Sequence, residues 1–182
     1  MNEWIKIRLG DIAKTNISSY NSKEKWSYVN YLDTGNITKN KIDEIQLIDL
    51  EKDKLPSRAK RKVETNDILF STVRPNQCHY GIIKQQPDNF LVSTGFIVIS
   101  SNPKIVDADY LYFYLSQENI IEGLHAIAEQ SVSAYPSIKA SDLENLEVSL
   151  PPISEQKKIA SILLSLEEKI ELNSKINENL VV

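Results

Sequence analysis

Cysteine, histidine and glycine are scarce in this sequence of 182 residues, and each scarcity excludes a kind of site. The single cysteine, Cys78, can form neither an internal disulfide nor a metal site of several cysteines. With His79 and His125 as the two histidines, a zinc cluster of His and Cys ligands is not expected. The five scattered glycines form no Gly-rich phosphate loop.

Long apolar runs are missing as well. No segment approaches the roughly 18 consecutive apolar residues of a transmembrane helix, and the first ten residues alternate charged and apolar side chains, unlike a signal peptide. Together with the lone cysteine, these patterns predict a cytoplasmic protein that does not contact a membrane. Apolar residues make up 41% of the chain and charged residues 25%, as in an ordinary globular domain.

The formal net charge of −4 is the sum of two unequal halves. Residues 1–104 contain 16 Lys and Arg against 12 Asp and Glu, a balance of +4, whereas residues 105–182 contain 5 against 13, a balance of −8. Basic surfaces favour nucleic acids. We therefore expect the two halves to meet different partners, and the net charge of −4 does not exclude a nucleic acid for the first half.

Hydrophobic periodicity predicts an α+β fold, with a β-rich domain over residues 1–150 and a long helix over 151–182. Asp107 is the expected N-cap of a helix that begins near Ala108. Another short helical turn is expected at 142–145. Strands are predicted at 4–9, 27–33, 43–50, 67–73, 90–100 and 146–150.

The longest periodic segment follows Pro151-Pro152, with Ser154 as the expected N-cap. A helix from there to Leu180 is roughly 40 Å long, which exceeds what the preceding domain can cover. Its apolar stripe, with an Asn at a seam position, favours a partner helix; a helix folded back on its own domain is the alternative. The stripe contains Ile159, Ile162, Leu163, Leu166, Ile170, Asn173, Ile176 and Leu180.

The sequence shows no catalytic constellation. Cys78 and His79 are adjacent, so on a strand their side chains would point to opposite faces. The two Glu-x-Lys matches, at 155–157 and 167–169, both lie on the predicted long helix. The Asn/Asp-Pro-Pro-aromatic segment of base-amino methyltransferases is absent. We therefore expect a non-catalytic protein and disfavour a small nuclease or a self-contained methyltransferase.

The densest basic run, Lys52–Lys62, has six basic residues and one acid in eleven positions. It is either a solvated surface or a phosphate-binding segment, and its place in the positive half favours phosphates. The stretch Ser71–Tyr80 follows this run and supplies side chains that can contact base edges. Alternatively, Arg74 is structural and bridges strands through a carboxylate. The expected DNA-binding residues are Arg58, Lys60, Arg61, Lys62, Ser71, Thr72, Arg74, Asn76, Gln77, His79 and Tyr80.

Five sequence segments occur in an order found in one protein family. Residues Leu150–Ala160 read Leu-Pro-Pro-Ile-Ser-Glu-Gln-Lys-Lys-Ile-Ala and lead into the long helix. The other segments are 67–75, 93–100, 110–115 and 169–177. Together they closely resemble one repeat of the DNA-specificity subunit of type I restriction–modification systems, and the resemblance runs from Trp4 to Leu180.

The resemblance implies a target recognition domain that reads half of a bipartite DNA site, followed by a spacer helix. A full-length subunit has two such repeats with antiparallel helices and positions two methyltransferase subunits, which restriction subunits can join. This chain carries one repeat, which implies a half-subunit that forms an antiparallel homodimer.

Any S-adenosylmethionine, Mg or ATP would then belong to the partner subunits, and the chain itself is expected to hold no cofactor or metal. The alternative is an interaction module that has lost DNA binding and competes for the methyltransferase subunit.

Overall fold

The computed structural model describes residues 4–21, 23–131 and 135–180, and it confirms the predicted α+β fold. The strands are β1 (Ile5–Arg8), β2 (Ala13–Thr15), β3 (Tyr28–Leu32), β4 (Ile37–Thr38), β5 (Lys41–Ile42), β6 (Gln46–Asp49), β7 (Ala59–Arg61), β8 (Ile68–Ser71), β9 (Tyr80–Ile82), β10 (Phe90–Ser93), β11 (Phe96–Ser101) and β12 (Glu147–Leu150). The helices are α1 (Leu9–Ile12), α2 (Ala108–Leu115), α3 (Glu118–Glu129), α4 (Ala140–Glu144) and α5 (Ile153–Leu180). No described helix is long and apolar enough to cross a membrane.

Two four-stranded sheets form the centre of the domain. The first sheet has the order β6-β3-β10-β7, in which β3 and β10 run parallel and the other pairs antiparallel. The second sheet, β2-β11-β8-β9, is antiparallel throughout. Two small antiparallel pairs complete the strands: β1 with β12, and β4 with β5.

The central strands are buried on both faces, which explains their nearly continuous apolar sequences. On β8, Leu69 lies in the core between the two sheets, whereas Ile68 and Phe70 lie in the core between the second sheet and the helices. On β10, Val92 faces the core between the sheets and Leu91 faces an outer cluster. Tyr20, Trp26, Leu50 and Leu55 cover that outer cluster.

Two local predictions are wrong, and a third is confirmed. Residues 90–100 form two strands rather than one, because the chain turns at Thr94-Gly95 and passes from the first sheet to the second. Helix α5 begins at Ile153, one residue before Ser154. The Pro152 carbonyl already accepts hydrogen bonds from the N–H groups of Glu155 and Gln156. At α2, the Asp107 carboxylate accepts a hydrogen bond from the Tyr110 N–H at 3.1 Å, as expected of an N-cap.

Gly81 on β9 provides a test of the packing between the second sheet and the β4–β5 hairpin. A Cβ at this position would lie 2.6 Å from Ile37 Cδ1 and 2.8 Å from Asn40 Oδ1. We expect Gly81→Ala to lower the free energy of unfolding by about 1–3 kcal/mol through overpacking.

The matched control is Gly123→Ala on α3, where an added Cβ has no neighbour within 4 Å. We expect this change to raise the free energy of unfolding by up to about 1 kcal/mol, because alanine is the better helix former. Denaturant unfolding measures both variants. An unchanged midpoint for Gly81→Ala would contradict the tight packing of the hairpin.

Candidate DNA interface and projecting helix

The two segments that contain the predicted DNA-binding residues meet at one turn. The Thr94 N–H donates to the Arg58 carbonyl at 2.8 Å, and the Thr72 N–H and hydroxyl donate to the Gly95 carbonyl at 2.8 and 2.9 Å. The turn therefore joins the start of β7 to the end of β8. We call this edge of the two sheets the loop end; it contains Thr34, Arg58, residues 72–79 and Thr94.

A short 3-10 turn, Pro75–Gln77, lies at the loop end between β8 and β9. Asn76 and Gln77 are exposed, while Pro75 is buried and the turn rests on α3. Arg74 and Cys78 flank the turn in the left-handed region, with φ of 48° and 57°. The turn therefore presents polar side chains on a backbone that packing holds in place.

Arg74 has partners within the domain but remains exposed. Its N–H donates to the Pro136 carbonyl at 3.0 Å, and its guanidinium lies over the Tyr135 ring at 5.8 Å. It forms no ion pair with a carboxylate of the described residues, although the strand-bridging alternative requires one. Arg74, Asn76 and Gln77 thus present exposed donors and acceptors of the type that read base edges.

Ser71 and Tyr80, both predicted to bind DNA, are buried. The Ser71 hydroxyl donates to the Val73 carbonyl at 3.1 Å. Tyr80 stacks on Phe70 at a centroid distance of 5.9 Å, and burial raises the pKa of its hydroxyl to about 12. In this conformation neither side chain is accessible to a duplex.

Three further predicted residues are engaged within the fold. Lys62 forms an ion pair with Glu24, and its ammonium lies 5.2 Å from the centre of the Trp26 ring. Arg61 is half-buried; burial lowers the pKa of its guanidinium, and its Nε has no hydrogen-bond partner in the described part of the chain. The Nδ1 of His79 lies 2.6 Å from the Ile37 carbonyl oxygen. Of the four predicted cations at 58–62, Arg58 and Lys60 are exposed.

A buried amide holds the junction between the domain and helix α5. Gln156 is 1% exposed, and its Oε1 accepts a hydrogen bond from the Asp107 N–H at 2.9 Å. Its Nε2 donates to the carbonyls of Ile105 and Pro151 at 3.2 and 2.8 Å. One side chain therefore ties α5 to the segment that precedes α2. Sequence reasoning missed this role, although Gln156 lies in the Leu150–Ala160 segment.

One face of the first half of α5 packs against its own domain. Ala160 is buried, and Ile159 and Leu163 are half-buried beside α2, where they line a groove of about 310 Å³. This packing face ends at Glu167, whose carboxylate accepts a long hydrogen bond of 3.5 Å from the Tyr112 hydroxyl. Burial raises the pKa of the Glu167 carboxyl above its ordinary value.

Beyond Glu167, the described side chains of α5 are exposed through residue 179. Ile159 and Leu163 of the predicted stripe thus partly contact their own domain, as the fold-back alternative expects, whereas the other described residues of the stripe are exposed. The Leu180 side chain lies outside the described residues. The exposed apolar residues of α5 are Ile162 at 63%, Leu166 at 50%, Ile170 at 66%, Leu172 at 58% and Ile176 at 45%; Asn173 is exposed among them.

The fold, the loop end and the projecting helix define the class of protein: an α+β domain that carries a long helix whose second half is exposed. The sequence profile of one family, the type I restriction modification DNA specificity domain, matches residues 1–181. The chain belongs to this family, which confirms the resemblance that its sequence segments indicated.

Known relatives are longer than this chain. The type I restriction enzyme HindI specificity subunit of Haemophilus influenzae is 34% identical over 180 residues, which cover 99% of this chain and 39% of that protein. The putative MjaX specificity subunit of Methanocaldococcus jannaschii is 29% identical over 88% of this chain and 38% of that protein. The crystal structure of the HsdS subunit from Thermoanaerobacter tengcongensis matches with a TM-score of 0.79 and 25% identity, over 97% of this chain and 45% of that one. The chain spans less than half the length of these relatives.

Removing the Gln156 amide tests the junction. We expect Gln156→Ala to lower the free energy of unfolding by about 2–4 kcal/mol, because it leaves buried backbone groups without hydrogen-bond partners. The control is Gln85→Ala, at an exposed position, with an expected change within about 0.5 kcal/mol. Denaturant unfolding compares the two, and equal stabilities would show that Gln156 does not hold the junction.

Proposed function

We propose that the chain is a non-catalytic reader of one half of a bipartite DNA site and acts in the cytoplasm. In this proposal it forms an antiparallel homodimer and positions a type I methyltransferase subunit, which a restriction subunit can join. S-adenosylmethionine, Mg and ATP act in those partner subunits. The observation that carries the DNA part is the meeting of Arg58 and residues 72–79 at the Thr94-Gly95 turn.

The loop end and the adjoining strand β7 offer two kinds of DNA contact. Arg58, directly before β7, and Lys60, on β7, are exposed cations suited to phosphates, which give affinity without sequence choice. Arg74, Asn76 and Gln77 carry the bidentate groups that distinguish guanine and adenine in the major groove. The choice of bases therefore depends on the turn, and the affinity for the DNA backbone depends on the cations at β7.

The dimer part rests on the exposed stripe of α5. Ile162, Leu166, Ile170 and Ile176 are between 45% and 66% exposed, and they extend over about 21 Å of helix. A second copy running antiparallel would cover this stripe with its own and place the two recognition domains at opposite ends. Two-fold symmetry then requires a palindromic bipartite target, because each domain reads the same bases on opposite strands.

The methyltransferase subunit is expected on α5 and the acidic half of the chain. Residues 105–182 carry a balance of −8, which repels the DNA backbone and leaves this surface to protein. The loop end favours this reading over an interaction module without DNA binding, since such a module needs no exposed Arg58 or Arg74.

Methylome sequencing of a host that expresses this chain with its methyltransferase tests the proposal. We expect one palindromic bipartite motif. Arg74→Ala should relax the choice at one base pair of each half-site, by about 1–3 kcal/mol in discrimination. The double variant Arg58→Ala with Lys60→Ala is the counterpart that removes phosphate contacts. It should lower methylation of all sites without changing the motif.

Two outcomes would contradict the proposal. Absence of any chain-dependent motif would favour the interaction module, and an asymmetric motif would exclude the symmetric homodimer. A uniform loss of methylation from Arg74→Ala, with an unchanged motif, would remove the base-reading role of that residue.

The helix stripe has its own test in Leu166→Asp. Leu166 is 50% exposed, so the change costs the isolated domain little but places a charge in the proposed dimer interface. We expect the wild-type chain to sediment as a dimer at micromolar concentration and Leu166→Asp as a monomer. Ser161→Asp, exposed on another face of α5, should remain dimeric. A monomeric wild-type chain would contradict the dimer.

A further inference from the structure

The first sheet has one covered edge and one open edge. At the β7 edge, the Tyr20 N–H donates to the Lys60 carbonyl at 2.7 Å and the Lys62 N–H donates to the Ser18 carbonyl at 3.2 Å, so the chain before β3 covers that strand. At the other edge, β6 pairs with β3 on its inner side, and no described strand pairs with its outer side. An open strand edge can accept a further strand.

The backbone of Leu47, in the middle of β6, points toward this open edge. Leu47 lies opposite Asn30 of β3, and the Asn30 N–H donates to the Asn89 carbonyl at 3.1 Å on the far side of β3. The pair Leu47–Asn30 is therefore one whose backbone groups point away from each other. The Asp49 carbonyl, by contrast, already accepts from the Asp53 N–H at 2.7 Å. Leu47 thus presents an N–H and a C=O to an incoming strand.

The Leu47 side chain adds an apolar contact beside these groups. It is 70% exposed, more than any other large apolar side chain of the described residues. Together with half-buried Tyr28 on β3 it lines a shallow depression of about 400 Å³. Ile48, the next residue, faces the other side of the sheet and is buried in the outer cluster. An incoming strand would therefore find an apolar site for one of its side chains.

The open edge is acidic, although it lies in the half of the chain with a positive balance. Residues 43–53 contain five acids against one base, Lys52, which pairs with Asp49 at 2.7 Å. The other four acids have no ion pair in the described part of the chain; they are Asp43, Glu44, Glu51 and Asp53. Arg58 and Lys60 belong to the opposite edge of the same sheet, about 14 Å away across three strand spacings.

The charge at this edge selects its occupant. If β6 paired antiparallel with β6 of a second copy about Leu47, Asp43 and Glu44 would approach Glu51 of the other copy, and like charges across a strand pair are destabilising. Nucleic acid is repelled for the same reason. The acids therefore protect the edge against self-association, but they do not explain the exposed leucine at its centre. A basic polypeptide matches both features.

We propose that the outer edge of β6 binds an extended, basic segment of a protein partner by strand addition. The backbone of the segment pairs with the N–H and C=O of Leu47. One of its apolar side chains packs on Leu47 and Tyr28, and its cations lie beside Glu44 and Glu51. The proposal does not depend on DNA reading. Because the basic edge lies on the opposite side of the sheet, the partner and DNA can bind at the same time.

The test uses the purified full chain and a fluorescently labelled short peptide of alternating lysine and valine. Two control peptides separate charge from strand addition. In the first, glutamate replaces lysine. In the second, proline replaces valine, which keeps the charge but prevents pairing as a strand. Fluorescence anisotropy gives the affinity, and amide hydrogen exchange reports the Leu47 N–H.

Two variants alter the edge, and a third is the matched control. Leu47→Lys removes the apolar contact and adds a repelling charge at a side chain that is 70% exposed, so the fold should be retained. Glu44→Lys with Glu51→Lys reverses the charge of the edge. The control, Glu118→Lys with Glu122→Lys, makes the same change in net charge at exposed acids of α3.

We expect the lysine–valine peptide to bind the wild-type chain and to slow exchange of the Leu47 N–H by about tenfold or more. Both edge variants should bind this peptide about tenfold more weakly, and the α3 control should bind it as the wild type does. Neither control peptide should protect the Leu47 N–H.

Three results would overturn the inference. The first is a lysine–valine peptide that binds no better than its glutamate counterpart. The second is binding that leaves exchange of the Leu47 N–H unchanged, because the peptide would then lie elsewhere on the acidic surface. The third is equal affinity of the wild type and both edge variants. None of these results affects the proposed function, whose own test is the methylated motif.

Discussion

The buried amide of Gln156 is the contact on which the arrangement of the protein depends. A buried glutamine is costly unless its polar atoms are paired, and here its hydrogen bonds to Asp107, Ile105 and Pro151 pair both ends of the amide. These three partners come from the segments that precede α2 and α5. The direction in which α5 leaves the domain is therefore set by hydrogen-bond geometry as well as by apolar packing, which tolerates small rotations more readily.

Burial of the central strands on both faces has a consequence for the candidate site. Because β8, β10 and β11 are covered on both sides, their side chains are used in packing, and exposed chemistry is confined to the ends of the strands. Thr72 and Thr94 show how those ends are held together. Thr72 donates hydrogen bonds to the Gly95 carbonyl, and the Thr94 N–H donates to the Arg58 carbonyl. The loop end is thus a rigid set of turns, and such rigidity limits what binding costs in conformational entropy.

Local patterns in the sequence predicted much of the fold and the segments that form the loop end. Strands with clear alternation, the Asp107 cap and the length of α5 follow from short-range chemistry. Burial does not follow from short-range chemistry. Tyr80 and Arg74 lie in one polar segment, yet Tyr80 stacks in the core and Arg74 is exposed. The β4–β5 hairpin was missed because Lys39-Asn40 lacks the Gly of a standard hairpin signal, and Gln156 because its three partners are brought together by the fold alone.

The two surfaces of α5 explain how a single helix can be part of the domain and still expose an apolar stripe. Ala160 and Glu167 lie on the face that packs against α2, and Glu167, which contacts Tyr112, is the last described side chain of α5 that is not exposed. Ile162, Leu166 and Ile170 are rotated away from that face, so the domain cannot cover them even where the helix is docked. An apolar stripe that continues past the domain on a fixed axis presents the same surface in every copy. In the proposed homodimer, self-pairing of that surface would require no rearrangement of the domain, which is the property that a spacer between two half-sites needs.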